Sequence, residues 1–277
     1  MVLVISLTTI PSRFDQIGPT LDSLLAQSRR PDHIQLHIPK HYRRFPDYDG
    51  RLPKVPRGIE IIRPDEDLGP ATKVLPAART LRGTSANLLF CDDDRIYHPR
   101  WAERLTDAQQ EHPDACIAAL GCEASLIAEA NMARAMQPRA AKRPWEHDPW
   151  YMARYAWWLQ RRKYRNPPDR PRRQVFRRPG YIDIFMGFGG VLVRPEFFDD
   201  TAYEIPEICW TVDDFWLSGM LAARGIPIWI ATGLNEPQNT DCYMNDALFA
   251  ATISGIRRPD AETHCVEHLR ERYGIWS

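Results

Sequence analysis

Short apolar runs recur along the chain, separated by polar stretches rich in Pro and Arg. Residues 2–7, 34–38, 59–62, 88–91, 116–120 and 226–230 read as strands, and 88–91 (Leu88, Leu89, Phe90, Cys91) carries no polar alternation, as a strand buried on both faces does. Between them, Ile17, Leu21, Leu24 and Leu25 recur at helical spacing until Pro31, and Val74, Leu75, Ala78 and Leu81 do the same after a Gly69-Pro70 turn. Residues 99–112 predict a helix with Pro99 at its start, and Phe215, Leu217, Met220, Leu221 and Arg224 predict another that ends at Gly225. Strand, helix and strand over residues 2–38 form a right-handed parallel crossover. The alternation predicts an α/β fold, a single mainly parallel sheet flanked by helices on both faces. Residues 181–185 resume the apolar pattern. The turn Gly187, Phe188, Gly189, Gly190 then returns the chain as a strand, through either a tight hairpin or a close backbone approach to a ligand.

With 277 residues the chain is long enough for a full core, as one large domain or a domain with an insertion. No apolar run nears the ~20 residues of a membrane span. The first residues lack the basic flank and cleavage site of a leader, so a cytoplasmic protein is expected. The six cysteines are scattered without a Cys-x-x-Cys pair, which argues against zinc and is compatible with reduced thiols. No Gly-x-Gly-x-x-Gly follows the first strand, so a dinucleotide site is not expected. Thirty-six basic residues balance thirty-six acidic ones, but residues 134–178 hold fourteen Lys or Arg against three acids (Glu146, Asp148, Asp169). That segment is also aromatic, with Trp145, Trp150, Tyr151, Tyr155, Trp157, Trp158 and Tyr164. Residues 149–165 predict a short amphipathic helix, basic at its carboxyl end through Arg161, Arg162, Lys163 and Arg165. Pro167, Pro168, Pro171 and Pro179 break any longer element. Such a segment suits an anionic membrane surface at the inner face, a stacked nucleic-acid strand, or a surface insertion packed on the main domain.

The candidate chemistry gathers after the buried run, where Asp92, Asp93 and Asp94 follow one another. Adjacent carboxylates repel, so a fold tolerates them in water or around a cation. At the carboxyl end of a buried strand they stand where α/β sheets hold ligands, and oxygen ligands suit Mg²⁺ or Mn²⁺ shared with phosphates. A solvated turn is the other reading. Lys73 is expected in a helix's first turn, where a cation calls for a nearby anion, either a ligand or Asp65 or Asp67. Thr211 and Asp214 have the spacing of a capping box, which leaves Asp213 without that structural reason; either carboxylate at a helix start can accept a proton from a hydroxyl. His264 and His268 share a helix face, a solvated pair or, for His264, a metal ligand.

Taken in order, residues 4–13, 69–73, 90–94, 187–190 and 212–214 resemble the motifs of glycosyltransferases of the A-type fold, family 2-like members among them, over roughly residues 2–235. The resemblance implies a single Rossmann-like domain and leaves the basic segment and the tail uncovered; in this division 1–133 is the nucleotide-sugar-binding half, 134–180 a basic aromatic insertion or lid, and 181–277 the acceptor-binding half with a C-terminal tail. It implies a donor site at Thr8, Thr9, Arg13, Lys73, Asp92 and Asp93. It also implies Mn²⁺ or Mg²⁺ on Asp92 and Asp94, an acceptor site at Gly187, Phe188 and Gly189, and a base at Asp214 or Asp213. The donor is then a nucleotide-diphosphate sugar, with UDP as the default. The acceptor is a carbohydrate or lipid-linked hydroxyl, as in surface polysaccharide or glycolipid synthesis, and the reaction is inverting. No nucleic acid partner is expected.

Two other readings remain. Asp92 as nucleophile and Asp94 as acid describe a phosphohydrolase, against which stand Arg95-Ile96 and the motif's depth in the chain. A binding or scaffold protein would use the basic aromatic segment as its contact surface.

Overall fold

The computed structural model describes residues 2–276 apart from 129–135, 145, 147, 165–167, 169, 249–251 and 254. Trp145, Arg165, Pro167 and Asp169, assigned above to the basic segment, lie outside the described residues.

Eight strands form the main sheet: β1 (Leu3–Thr8), β2 (His33–His37), β3 (Glu60–Ile62), β4 (Asn87–Phe90), β5 (Cys116–Ala118), β6 (Gly180–Ile182), β7 (Val191–Val193) and β8 (Ile228–Ile230). Their order across it is β6-β8-β5-β7-β4-β1-β2-β3. β3, β2, β1 and β4 are parallel neighbours. β7 runs against both β4 and β5, β8 runs with β5, and edge strand β6 runs against β8. Six of the eight strands therefore point one way, the mainly parallel sheet that the alternation predicts.

The helices are α1 (Gly18–Leu25), α2 (Leu75–Leu81), α3 (Trp101–Glu111), α4 (Pro149–Arg161), α5 (Asp213–Ala223) and α6 (Arg258–Tyr273). Side chains alternate across a strand, and β4 shows the consequence. Leu88 and Phe90 enter a core shared with α2, α5 and α6, while Leu89 and Cys91 enter a second core shared with α1 and α3. All four are fully buried, as the unbroken apolar run requires.

From β1 the chain moves outward through β2 to β3, then returns to lay β4 on the other side of β1. The connections leaving β1 and β4 thus diverge, which opens a crevice beyond their carboxyl ends.

Three local expectations are corrected. Thr211 and Asp214 form no capping box: Val212 is the N-cap of α5, no side chain caps it, and Asp214 takes a backbone amide from another segment. Lys73 lies in the last turn of a 3-10 helix (Gly69–Lys73), ahead of α2 rather than in its first turn. The glycine turn joins no hairpin. Ile184–Phe185 before it pairs with Gly121–Cys122, whereas β7 after it joins the main sheet.

In the basic segment, Ala141–Lys142 pairs with Phe176–Arg178, and α4 lies between them in sequence, capped by Asp148 accepting from the Tyr151 amide at 2.9 Å.

Candidate active site

β1 and β4 run side by side with Ser6 opposite Phe90, so the turns that follow them leave the sheet together. Asp93 fastens these turns. Its carboxylate accepts from Thr9 Oγ1 at 2.5 Å and from Arg13 Nη1 at 2.6 Å, and its main-chain carbonyl accepts from Thr20 Oγ1 at 2.7 Å. Arg13 Nη1 also reaches Asp94 Oδ2 at 3.1 Å, and its Nε donates to the Asn245 carbonyl at 3.0 Å. Asp92 takes the ammonium of buried Lys73 at 2.7 Å, and the same ammonium stands 2.9 Å from Asp213 Oδ2. Arg95 Nε lies 3.2 Å from Asp94 Oδ1 without hydrogen-bond alignment, so that buried oxygen has no hydrogen-bond partner. The acidic turn is therefore no solvated loop: Asp93 and Asp94 are buried, and the chain's own Lys73, Arg13 and Arg95 supply the counter-charge.

The balance differs at each carboxylate. Burial opposes ionisation of Asp92, but Lys73 outweighs it and holds the group below its ordinary value. Asp93 is raised by burial in spite of Arg13. Asp94 is pushed up to about 7, by burial first and then by Asp93 and Asp92. Burial also works against the charge of Lys73, yet Asp213, Asp92 and Asp214 keep its pKa well above the usual lysine value.

Asp213 and Asp214 occupy the first turn of α5, buried. Asp214 Oδ2 accepts from the Gly187 amide at 3.0 Å, and its Oδ1 is buried without a hydrogen-bond partner. Burial, then the Asp213 carboxylate, push Asp214 up to about 7. The Gly187 backbone comes so close that a Cβ there would stand 2.7 Å from Asp214 Oδ1 and 3.0 Å from Lys73 Nζ. Close approach is what this position requires, but it is made to the protein's own Asp214 and Lys73 and not to a ligand.

A cleft of about 310 Å³ opens above these groups. Thr8, Thr9, Arg13, Lys73, Asp92, Asp93, Asp94, Phe188, Asp213 and Asp214 all line it. Gly187 and Gly189 stand behind its wall, Gly189 with its carbonyl accepting from Trp101 Nε1 at 2.8 Å. His264 is exposed on α6 and is not among the lining residues. No described residue of 134–178 lines the cleft.

Sequence reasoning passed over several lining groups. Arg95 follows the acidic run directly and was visible there; its guanidinium sits between the rings of Phe188 (4.7 Å) and Tyr243 (4.6 Å). Arg258, the first residue of α6, feels Asp214 and Asp213, which hold it above its ordinary value although burial opposes them. Nothing in its neighbourhood in sequence links it to α5. Tyr42, Phe45 and Trp210 add an aromatic wall beside the charged floor.

Among the described residues no three His, Cys, Asp or Glu side chains are grouped to hold a metal by themselves. Asp94 Oδ1, which accepts no hydrogen bond and sits on a carboxylate that burial and then its acidic neighbours make costly to ionise, and the partly exposed Asp92 fit a Mg²⁺ or Mn²⁺ ion completed by phosphate oxygens.

No protein-family model matches the chain, and no curated protein sequence matches it. Among solved structures, it is similar to the 2-C-methyl-D-erythritol 4-phosphate cytidylyltransferase of Francisella tularensis, at 12% identity over 84% of this chain and 90% of that one. The TM-score is 0.41, a likeness too slight to carry an argument about substrate or reaction.

Proposed function

We propose that the chain is a nucleotide-sugar-dependent glycosyltransferase that moves a sugar to an acceptor hydroxyl with inversion. The observation that carries this reading is Asp214, a carboxylate with one unpartnered oxygen and a pKa of about 7, sharing one cleft with the cation-matched acidic turn at the switch point of the sheet. A base for a hydroxyl works best with a pKa near the operating pH. Asp213 is the weaker candidate because its carboxylate stands 2.9 Å from the Lys73 ammonium.

In this reading the acceptor oxygen attacks the anomeric carbon, its proton passes to Asp214, and the bond from that carbon to the nucleotide diphosphate breaks. Lys73, Arg13 and Arg95 face the charge that gathers on the departing diphosphate. A divalent cation on Asp92 and Asp94 would add Lewis-acid stabilisation of that same charge. The rings of Tyr42, Phe45 and Trp210 offer an apolar wall for the base, taken as uracil.

Calorimetric titration with UDP, with and without Mn²⁺, on the wild type and on Asp94→Ala tests the proposal. Metal-dependent binding that is lost in Asp94→Ala is the expected result. Failure to bind UDP or any other nucleoside diphosphate under either condition refutes it and returns the phosphohydrolase and scaffold readings to the front.

A further inference from the structure

One exposed flank of α4 carries a pattern that the cleft does not use. Along Pro149–Arg161, Trp150, Arg154, Trp157 and Arg161 fall at spacings of four, three and four residues, which places them in a single stripe. All four are exposed, Trp150 to 73% and Trp157 to 50%, a large amount of bare indole for one short helix. The adjacent face of the helix is anchored: Tyr151 is buried, and Trp158 Nε1 donates to the Pro168 carbonyl at 3.0 Å. The exposed indoles are therefore not left over from a helix without a place to pack. The basic residues continue past the helix with Arg162 and Lys163, and Tyr164, 67% exposed, extends the aromatic line. No Asp or Glu lies between Asp148, engaged at the N-cap, and Lys163.

We propose that this face docks on an anionic lipid bilayer. Indole rings settle at the headgroup level, where an apolar body and a polar N–H are both satisfied. Guanidinium and ammonium groups beside them pair with lipid phosphates and extend their stems along the apolar surface. Helices that lie in a membrane interface combine these features with low mean hydropathy. The stripe lies along the convex surface of a helix, whereas a nucleic-acid strand is tracked by a groove. A second copy of the chain would bring the same positive charge against itself. Among the described residues no helix is long and apolar enough to cross a membrane, so contact of this kind is peripheral.

The docking face is joined to the cleft rim by hydrogen bonds, beginning with Arg154 Nη2, which donates to the Arg172 carbonyl at 3.1 Å. Glu236 N donates to the Arg173 carbonyl at 2.9 Å and Arg172 Nη2 donates to Gln238 Oε1 at 2.5 Å; Gln238–Asn239 then pairs with Arg95–Ile96. A bilayer held at α4 therefore sets the orientation of the cleft rim relative to the lipid surface. The proposal is independent of the transferase reading and is tested without an activity assay.

The full chain is floated with vesicles of phosphatidylcholine alone or mixed with phosphatidylglycerol, at low and high salt. The expected result is binding to the mixed vesicles only, weakened by salt. Arg154→Gln combined with Arg161→Gln is expected to lower partitioning by about thirtyfold, from roughly fivefold per basic side chain near an anionic surface. Trp150→Ala combined with Trp157→Ala is expected to abolish quenching of tryptophan fluorescence by brominated lipid, with an unchanged circular dichroism spectrum. Failure to float with either vesicle overturns the proposal, as does equal binding to both. Tighter binding to single-stranded nucleic acid than to vesicles, or self-association lost in either double variant, overturns it in favour of that partner.

Discussion

Replacing Asp214 by Asn isolates what it costs to hold that carboxylate where it is. Burial and the Asp213 carboxylate raise its pKa from 3.8 to about 7. Between those values the folded chain binds more protons at this group than the unfolded chain does. Its contribution to stability therefore falls as pH rises through that window and levels off above about 7. At 1.36 kcal/mol per unit, the ionised carboxylate destabilises the fold by roughly 4 kcal/mol at pH 8 relative to pH 3. Asn keeps a carbonyl oxygen for the Gly187 amide, which now donates to Asp214 at 3.0 Å. Its nitrogen would stand where Oδ1 has no hydrogen-bond partner, at a cost of about 1–3 kcal/mol that does not depend on pH. The variant is thus expected to match or fall below the wild type near pH 4 and to exceed it by roughly 1–3 kcal/mol at pH 8. Urea unfolding followed by tryptophan fluorescence over this range measures the difference directly. A difference that stays flat with pH, or a variant that is the less stable at pH 8, would refute the assignment of a raised pKa to Asp214.

Lys73→Met removes the cation shared by Asp92 and Asp213; stability at pH 7 should fall by about 3–5 kcal/mol in urea unfolding, and a variant as stable as the wild type would contradict the ion-pair account. Gly187→Ala sets a methyl group 2.7 Å from Asp214 Oδ1, so transfer activity should fall by about a hundredfold, the effect of roughly 1 Å of misplacement, and undiminished turnover would remove Asp214 from the mechanism. In the wild type, kcat/KM should rise with pH along a limb centred near 7, since the base must be ionised; persistence of that limb in Asp214→Asn would assign it to another group.

Much of the architecture was legible without coordinates. The unbroken run of Leu88 to Cys91 could be buried only between two layers, and two cores meet there. The alternation of strands and helices determined the mainly parallel sheet, and among the residues carrying the family resemblance Thr8, Thr9, Arg13, Lys73, Asp92, Asp93, Asp94, Phe188, Asp213 and Asp214 line the cleft. Local spacing also misled. Thr211 and Asp214 have cap spacing, but the backbone of Gly187 offers Asp214 an amide from another segment, and no local pattern registers that competition.

Tertiary structure alone decided the electrostatics. Three adjacent aspartates look alike in sequence, yet one is held ionised by Lys73, one is locked by Thr9 and Arg13, and one is pushed up to about 7. Their partners come from the 3-10 turn before α2, from the loop after β1 and from the next residue in the chain. Arg258 joins them from the first position of α6, well beyond the end of α5 at Ala223. A pKa depends on burial and on charges a few ångströms away, and those distances are set by strand order, which the sequence determines only through the whole fold. The pattern of apolar residues determined that the acidic turn would follow a buried strand; which side chains meet beyond that strand's end, and which carboxylate oxygens are left without a hydrogen bond, followed from the packing.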